Sequence, residues 1–124
     1  MTGEEIRKYC LKKPGSWEDL PFDPDTLVIK IGSKMFALIS PETDAKISLK
    51  CEPLYSLALR EKYPSVTPGY YLNKKHWNTI VLDGSIPMDK IKELIDLSYE
   101  LVFANLAARE KLAINETVKT ENTD

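Results

Sequence analysis

Residues 26–50 read TLVIKIGSKMFALISPETDAKISLK. Three β-favouring runs stand in this stretch, separated by turn chemistry. Thr26 to Ile31 is apolar and mostly β-branched, interrupted by Lys30. Gly32-Ser33 is a two-residue turn with glycine in first place, the order a type II′ hairpin wants. Lys34 to Ile39 is the return strand. Ser40-Pro41-Glu42-Thr43-Asp44 makes a second, polar turn, and Ala45 to Lys50 alternates apolar with polar residues. Runs this close in sequence predict a meander of antiparallel strands.

Helical signals flank the meander. Thr2 and Glu5 have the S/T-x-x-E spacing of a capping box. Ile6, Tyr9, Cys10 and Lys13 fall on one face behind them, with Leu11 beside it, and Pro14-Gly15 ends the helix. A loop then runs to about Asp25, held by Pro21 and Pro24 and carrying Glu18, Asp19, Asp23 and Asp25. Beyond the meander, Pro53 suits the first position of a second helix. Its expected buried stripe is Leu54, Leu57 and Ala58, and Pro64 stops it. Residues 65–75 are irregular, with Tyr70-Tyr71-Leu72 as a short strand candidate. Trp77 to Leu82 is a further strand, turned by Asp83-Gly84. Pro87 opens the longest helix, in which Met88, Ile91, Leu94, Ile95, Ser98, Leu101 and Val102 recur at i, i+3, i+4 spacing. The order α-β-β-β-α-β-β-α, with its fourth strand the short one, predicts an α+β fold. An antiparallel sheet would be covered by helices on one face and left open on the other. Residues 1–108 are expected to form a single domain and 109–124 a polar, frayed tail.

With 124 residues, 43 % hydrophobic and 29 % charged, the chain can bury a core without disulfide or metal staples. No apolar run reaches the ~18 residues a membrane span needs. The acidic start, Met1-Thr2-Gly3-Glu4-Glu5, lacks the apolar core of a signal peptide. Two cysteines make no disulfide framework, so a reducing cytoplasm is the expected setting and a monomer the expected state. No glycine-rich phosphate loop, C-x-x-C or H-x-x-x-H pattern occurs, and no cofactor or metal is expected.

Alternation along the strands sorts side chains by face. Lys30, Lys46, Lys50 and Trp77 are expected on the open face. Residues 30–75 hold eight Lys or Arg against four acids, although the whole chain carries −2. Lysines beside an aromatic ring suit a polyanion, because ammonium neutralises phosphate and the ring can stack on a base. The same lysines would equally serve to solubilise an exposed strand face. The densest polar, basic and aromatic cluster is Asn73-Lys74-Lys75-His76-Trp77, which offers amide, ammonium and imidazole donors to a phosphate or a base edge. The candidate nucleic-acid contacts are therefore Lys46, Lys50, Asn73, Lys74, Lys75, His76 and Trp77. A pocket at His76 and Trp77 for a protein or small ligand is the rival reading.

Nucleophilic catalysis has little support. His76 is the sole imidazole. Cys10 lies on an apolar helical stripe and reads as core. Cys51 stands near a helix N-terminus, which can lower a thiol pKa. The strand order gives neither cysteine a reason to meet His76, and no enzyme activity is expected.

Several stretches of the sequence resemble the MmcQ/YjbR-like family. They are Ser48-Leu49-Lys50, Tyr71-Leu72-Asn73-Lys74-Lys75-His76-Trp77, Leu82-Asp83-Gly84-Ser85, Tyr9-Cys10 with Lys13-Pro14-Gly15, and Asp96-Leu97-Ser98-Tyr99. The resemblance spans roughly residues 1–105. It implies a CyaY-like, double-wing fold and DNA binding, weak and non-specific. The CyaY relation also implies iron held by an acidic ridge on the first helix and the neighbouring strand. Here that helix carries Arg7, Lys8, Lys12 and Lys13 beside Glu4 and Glu5, so the ridge is missing.

Overall fold

The computed structural model describes residues 3–21, 25–40, 45–69 and 73–122, with the side chains of 117–122 excepted. The elements are α1 (Gly3–Leu11), β1 (Ser16–Asp19), β2 (Leu27–Ile31), β3 (Lys34–Ser40), β4 (Lys46–Lys50), α2 (Pro53–Lys62), β5 (Val66–Pro68), β6 (Trp77–Val81), α3 (Met88–Ala104) and α4 (Ala108–Asn122). The six strands form one sheet in the order β1-β2-β3-β4-β6-β5. Every neighbouring pair is antiparallel. The fold is α+β, as the alternation of the strands predicts.

The main core lies between the sheet and the helices. Ile29, Ile31, Ala37, Ile39, Ile47, Leu49 and Ile80 meet Ile6 and Cys10 of α1 and Ile91, Leu94, Ile95 and Val102 of α3. The opposite face carries a second, smaller cluster of Val28, Leu38 and Trp77, with Met35 against it. Among the described residues no helical one belongs to that second cluster, and the helices pack on the main-core face.

One irregularity in the meander joins sheet to helix. Ile29 pairs with Ala37, but Lys30 pairs with Met35, so Phe36 is an extra residue in β3. Such a bulge leaves backbone groups outside the ladder. Phe36 turns its ring into the core, edge-on to Tyr99 at 5.4 Å and 88°. Ser98 of α3 then serves both orphaned backbone groups. Its hydroxyl donates to Phe36 O at 2.6 Å and accepts from Lys50 N at 2.9 Å.

Four expectations need correction. The Trp17 region is a strand: β1 pairs Ser16 to Asp19 with Ile31 to Val28 at the sheet edge. A four-residue, mostly polar edge strand carries too little alternation to announce itself. In α2 the expected stripe faces outward, with Leu54 at 75 % and Leu57 at 58 % exposure and Ala58 also exposed. Ser56 and Leu59 are the buried residues. Apolar residues at 54, 55, 57, 58 and 59 allow two stripes, and tertiary contacts choose between them. The short strand after α2 is Val66–Pro68, and residues 70–72 lie outside the described ones, as does Thr2 of the capping box. The expected frayed tail is helical over Ala108–Asn122 and buries Ile114.

Candidate nucleic-acid interface

Strand pairing places the first two candidates. Lys46 stands opposite Val81 and Lys50 opposite Trp77. Four residues of strand separate the two lysines, about 13 Å along β4. Asn73 to His76 form the turn that feeds β6. Asn73 Oδ1 accepts from Lys75 N at 2.9 Å, and Asn73 O accepts from His76 N and Trp77 N at 3.1 and 3.0 Å. Lys46, Asn73, Lys74 and Lys75 are exposed, and Lys50 and His76 are half-buried.

This turn is clamped from α2. Arg60 Nε donates to Asn78 Oδ1 at 2.7 Å, and its Nη2 donates to both Lys74 O and Trp77 O. The opposite side of the turn is tied to β4 by Cys51 N, which donates to His76 O at 2.6 Å. The start of α2 is fixed in turn by Glu52, whose carboxylate caps Leu54 N and Tyr55 N at 3.1 Å each. Arg60 and Glu52 thus position the candidate turn, and the sequence reading did not single them out. Their signal was Asn78, a polar residue within an apolar strand, which demands a hydrogen-bond partner once buried.

Trp77 does not stand free. At 8 % exposure it packs with Val28 and Leu38, so it offers no open ring to a base. The half-exposed indole on this face belongs to Trp17, opposite Lys30, whose Nζ lies 5.1 Å from the ring centroid. Lys30 is also paired with Asp19 at 3.1 Å.

The ammonium groups differ in their partners. Arg7, Lys13, Lys30 and Lys90 each pair with a carboxylate. Lys46, Lys50, Lys74 and Lys75 form no ion pair among the described residues.

The YjbR family model matches residues 11–101. The chain belongs to the YjbR family. Relatives include the uncharacterized protein YjbR of Escherichia coli K12, 38 % identical over 112 residues, covering 90 % of this chain and 94 % of that protein. The uncharacterized protein YbdF of Escherichia coli O157:H7 is 40 % identical over 109 residues, 87 % of this chain and 89 % of that one. The crystal structure of Deinococcus radiodurans protein DR2400, a DUF419 domain, superposes with a TM-score of 0.86 at 38 % identity, covering 92 % of this chain and 88 % of that chain.

Several stretches that carry the YjbR-family likeness have structural tasks. Asp96 accepts from Tyr9 Oη at 2.7 Å and pairs with Lys13. Tyr99 Oη donates to Pro14 O at 2.6 Å. Ser98 closes the bulge in β3.

Cys10 is in the core as expected, whereas Cys51 sits differently from expectation. Pairing of β4 with β6 does bring Cys51 opposite His76, through main-chain atoms. Burial pushes the Cys51 thiol up, against the lowering pull of Ser56 and Glu52, so its place at a helix start does not make it a ready thiolate. Burial likewise pushes Cys10 up to about 12. Two cavities are lined wholly by described residues. One, of about 10 Å³, is lined by Lys50, Cys51, Asn78 and aliphatic side chains and has room for no more than a single water. The other, of about 200 Å³, lies between Val81–Leu82 and the start of α3. Neither is lined by His76 or Trp77. Among the described residues no group of three or more His, Cys, Asp or Glu is placed to hold a metal ion. No described helix is long and apolar enough to cross a membrane.

Proposed function

We propose that this YjbR-family chain is a non-enzymatic, cytoplasmic, monomeric protein that binds nucleic acid weakly and without sequence preference. Lys46, Lys50, Lys74 and Lys75 supply the phosphate contacts, and Asn73 and His76 add polar ones. The observation that carries this reading is the grouping of four lysines on β4 and the adjoining 73–77 turn, none of them in an ion pair among the described residues. The Arg60 clamp holds two of them on a fixed turn beside Lys50. Such groups neutralise phosphate but read no base edge, because lysine acts as a point charge and lacks the bidentate geometry of arginine. Burial of Trp77 removes the stacking term that favours single strands. The proposed ligand is accordingly the phosphate backbone of a duplex.

Filter binding at low salt tests this, with duplex and single-stranded DNA of mixed sequence. The expected result is weak retention that falls steeply with salt and depends little on sequence. Retention equal to that of a Lys46→Ala, Lys50→Ala, Lys74→Ala, Lys75→Ala variant would overturn it.

A further inference from the structure

Between Met88 and Asn122 the chain contains neither glycine nor proline, yet α3 stops at Ala104 and α4 begins at Ala108. One local contact marks the break: the Glu110 carboxylate reaches back to accept from Ala107 N at 3.3 Å at the start of α4. Asn105 has φ −93° and ψ 0°, a short step from helical geometry. The rest of the bend is held from outside. Leu106 is buried in the main core. Lys34 Nζ donates to Asn105 O at 2.9 Å, a carbonyl that in a continuous helix would accept from the Arg109 N–H. Asn105 Nδ2 donates to Leu101 O at 3.1 Å. Beyond the bend, two contacts seat α4 on the rest of the fold. The Glu110 carboxylate accepts from Ser33 N at 2.9 Å and from Ser33 Oγ at 3.2 Å, in the β2–β3 turn. Ile114 lies against Gly15, where an added Cβ would approach its side chain to 2.8 Å.

We propose that the closed monomer is in equilibrium with a minor dimer in which α3 and α4 straighten into one helix through residues 105–107 and the freed α4 docks on a second copy of this chain, which returns its own α4. The partner is fixed by identity. The seat around Ser33 and Gly15 already fits α4, so the partner's α4 makes the same Glu110 and Ile114 contacts. Those contacts exist in both the closed chain and the exchanged dimer and cancel between them. The balance is set at the bend alone. The closed chain keeps the burial of Leu106, the Lys34–Asn105 bond and the Glu110 cap on Ala107 N, whereas the exchanged form gains continuous helical hydrogen bonds. Substitutions at the bend therefore move the equilibrium. Substitutions at the seat change only the rate of exchange.

Light scattering on the full chain across a range of concentrations, with mass spectrometry of mixed labelled and unlabelled protein, tests this. Lys34→Ala combined with Asn105→Ala is expected to lower the dimer dissociation constant about tenfold or more. Ala108→Pro in that background is expected to restore the monomer. Proline suits the first turn of a separate α4 but breaks the interior of a continuous helix. Ile114→Ala, which touches only the seat at Gly15, is expected to speed the mixing of labels without moving the dissociation constant. An unchanged dissociation constant in the Lys34→Ala, Asn105→Ala variant would overturn the proposal. So would a dimer that survives Ala108→Pro, which would place the interface elsewhere, such as on the Leu54–Leu57 stripe.

Discussion

At position 77 the strand register sets the indole beside Val28 and Leu38, at 8 % exposure. Trp77→Ala is therefore expected to cost about 3–5 kcal/mol of stability, read by urea unfolding. The DNA affinity of the folded fraction should be unchanged. Ser98 is a small residue with two buried obligations, to Phe36 O and Lys50 N. Ser98→Ala leaves both without a partner, and each orphaned group is expected to cost about 1–3 kcal/mol in the same assay. Cys10 is fully buried and its thiol is pushed up to about 12. It is expected to ignore a disulfide exchange reagent at mildly alkaline pH until the chain unfolds, as absorbance of the released thiol would show. The sequence marked Cys10 as core through its helical spacing. It did not mark Ser98 as a bridge, because the bulge that creates the need lies sixty-odd residues away.

Among the elements, the legible ones were those with strong periods. The hairpin of β2 and β3, the strands β4 and β6, and the long helix α3 stand where the alternation and the i, i+3, i+4 pattern put them. The short edge strand β1 and the facing of α2 were not legible, since neither has a single period. Carboxylates tie down the edge strand β1 and the helix α4. Glu18 is lowered by its bond to Arg7, Asp19 by its bond to Lys30, and Glu110 by its bond to Ser33. A carboxyl depressed in the folded state contributes stability above its unfolded pKa and loses it as pH falls through the folded value. The melting temperature is thus expected to fall as pH drops from about 4.5 towards 2, below the ordinary carboxylate range. A Glu18→Gln, Asp19→Asn, Glu110→Gln variant should start lower at neutral pH and show a shallower acid limb, by calorimetry or circular dichroism.

For the molecule as a whole, net charge is −2 while the candidate lysines gather at β4 and the 73–77 turn. With about four phosphates neutralised and roughly −0.9 per phosphate, the log–log salt slope on duplex DNA is expected to be about −3 to −4. Lys74→Ala with Lys75→Ala should lower its magnitude by about two and weaken all sequences alike. Arg60→Ala leaves the lysines in place but frees their turn, and it orphans Asn78 Oδ1 in the core. Stability and affinity should then fall together, which separates the clamp from the contacts.

Local chemistry by itself determined the strand runs, the glycine turn at Gly32, the proline start of α2 and the period of α3, because each is a property of residues within a few positions of one another. It also named the lysines at 46, 50, 74 and 75. Tertiary structure alone decided that Trp77 is packed, that Leu54 and Leu57 face outward, that Arg60 holds the basic turn, and that a glycine- and proline-free run breaks into α3 and α4. Each of these depends on a partner distant in sequence: Val28 and Leu38 for Trp77, Asn78 for Arg60, Lys34 and Ser33 for the bend. A sequence read along its length carries periodicity, but burial is a property of what packs on the other side.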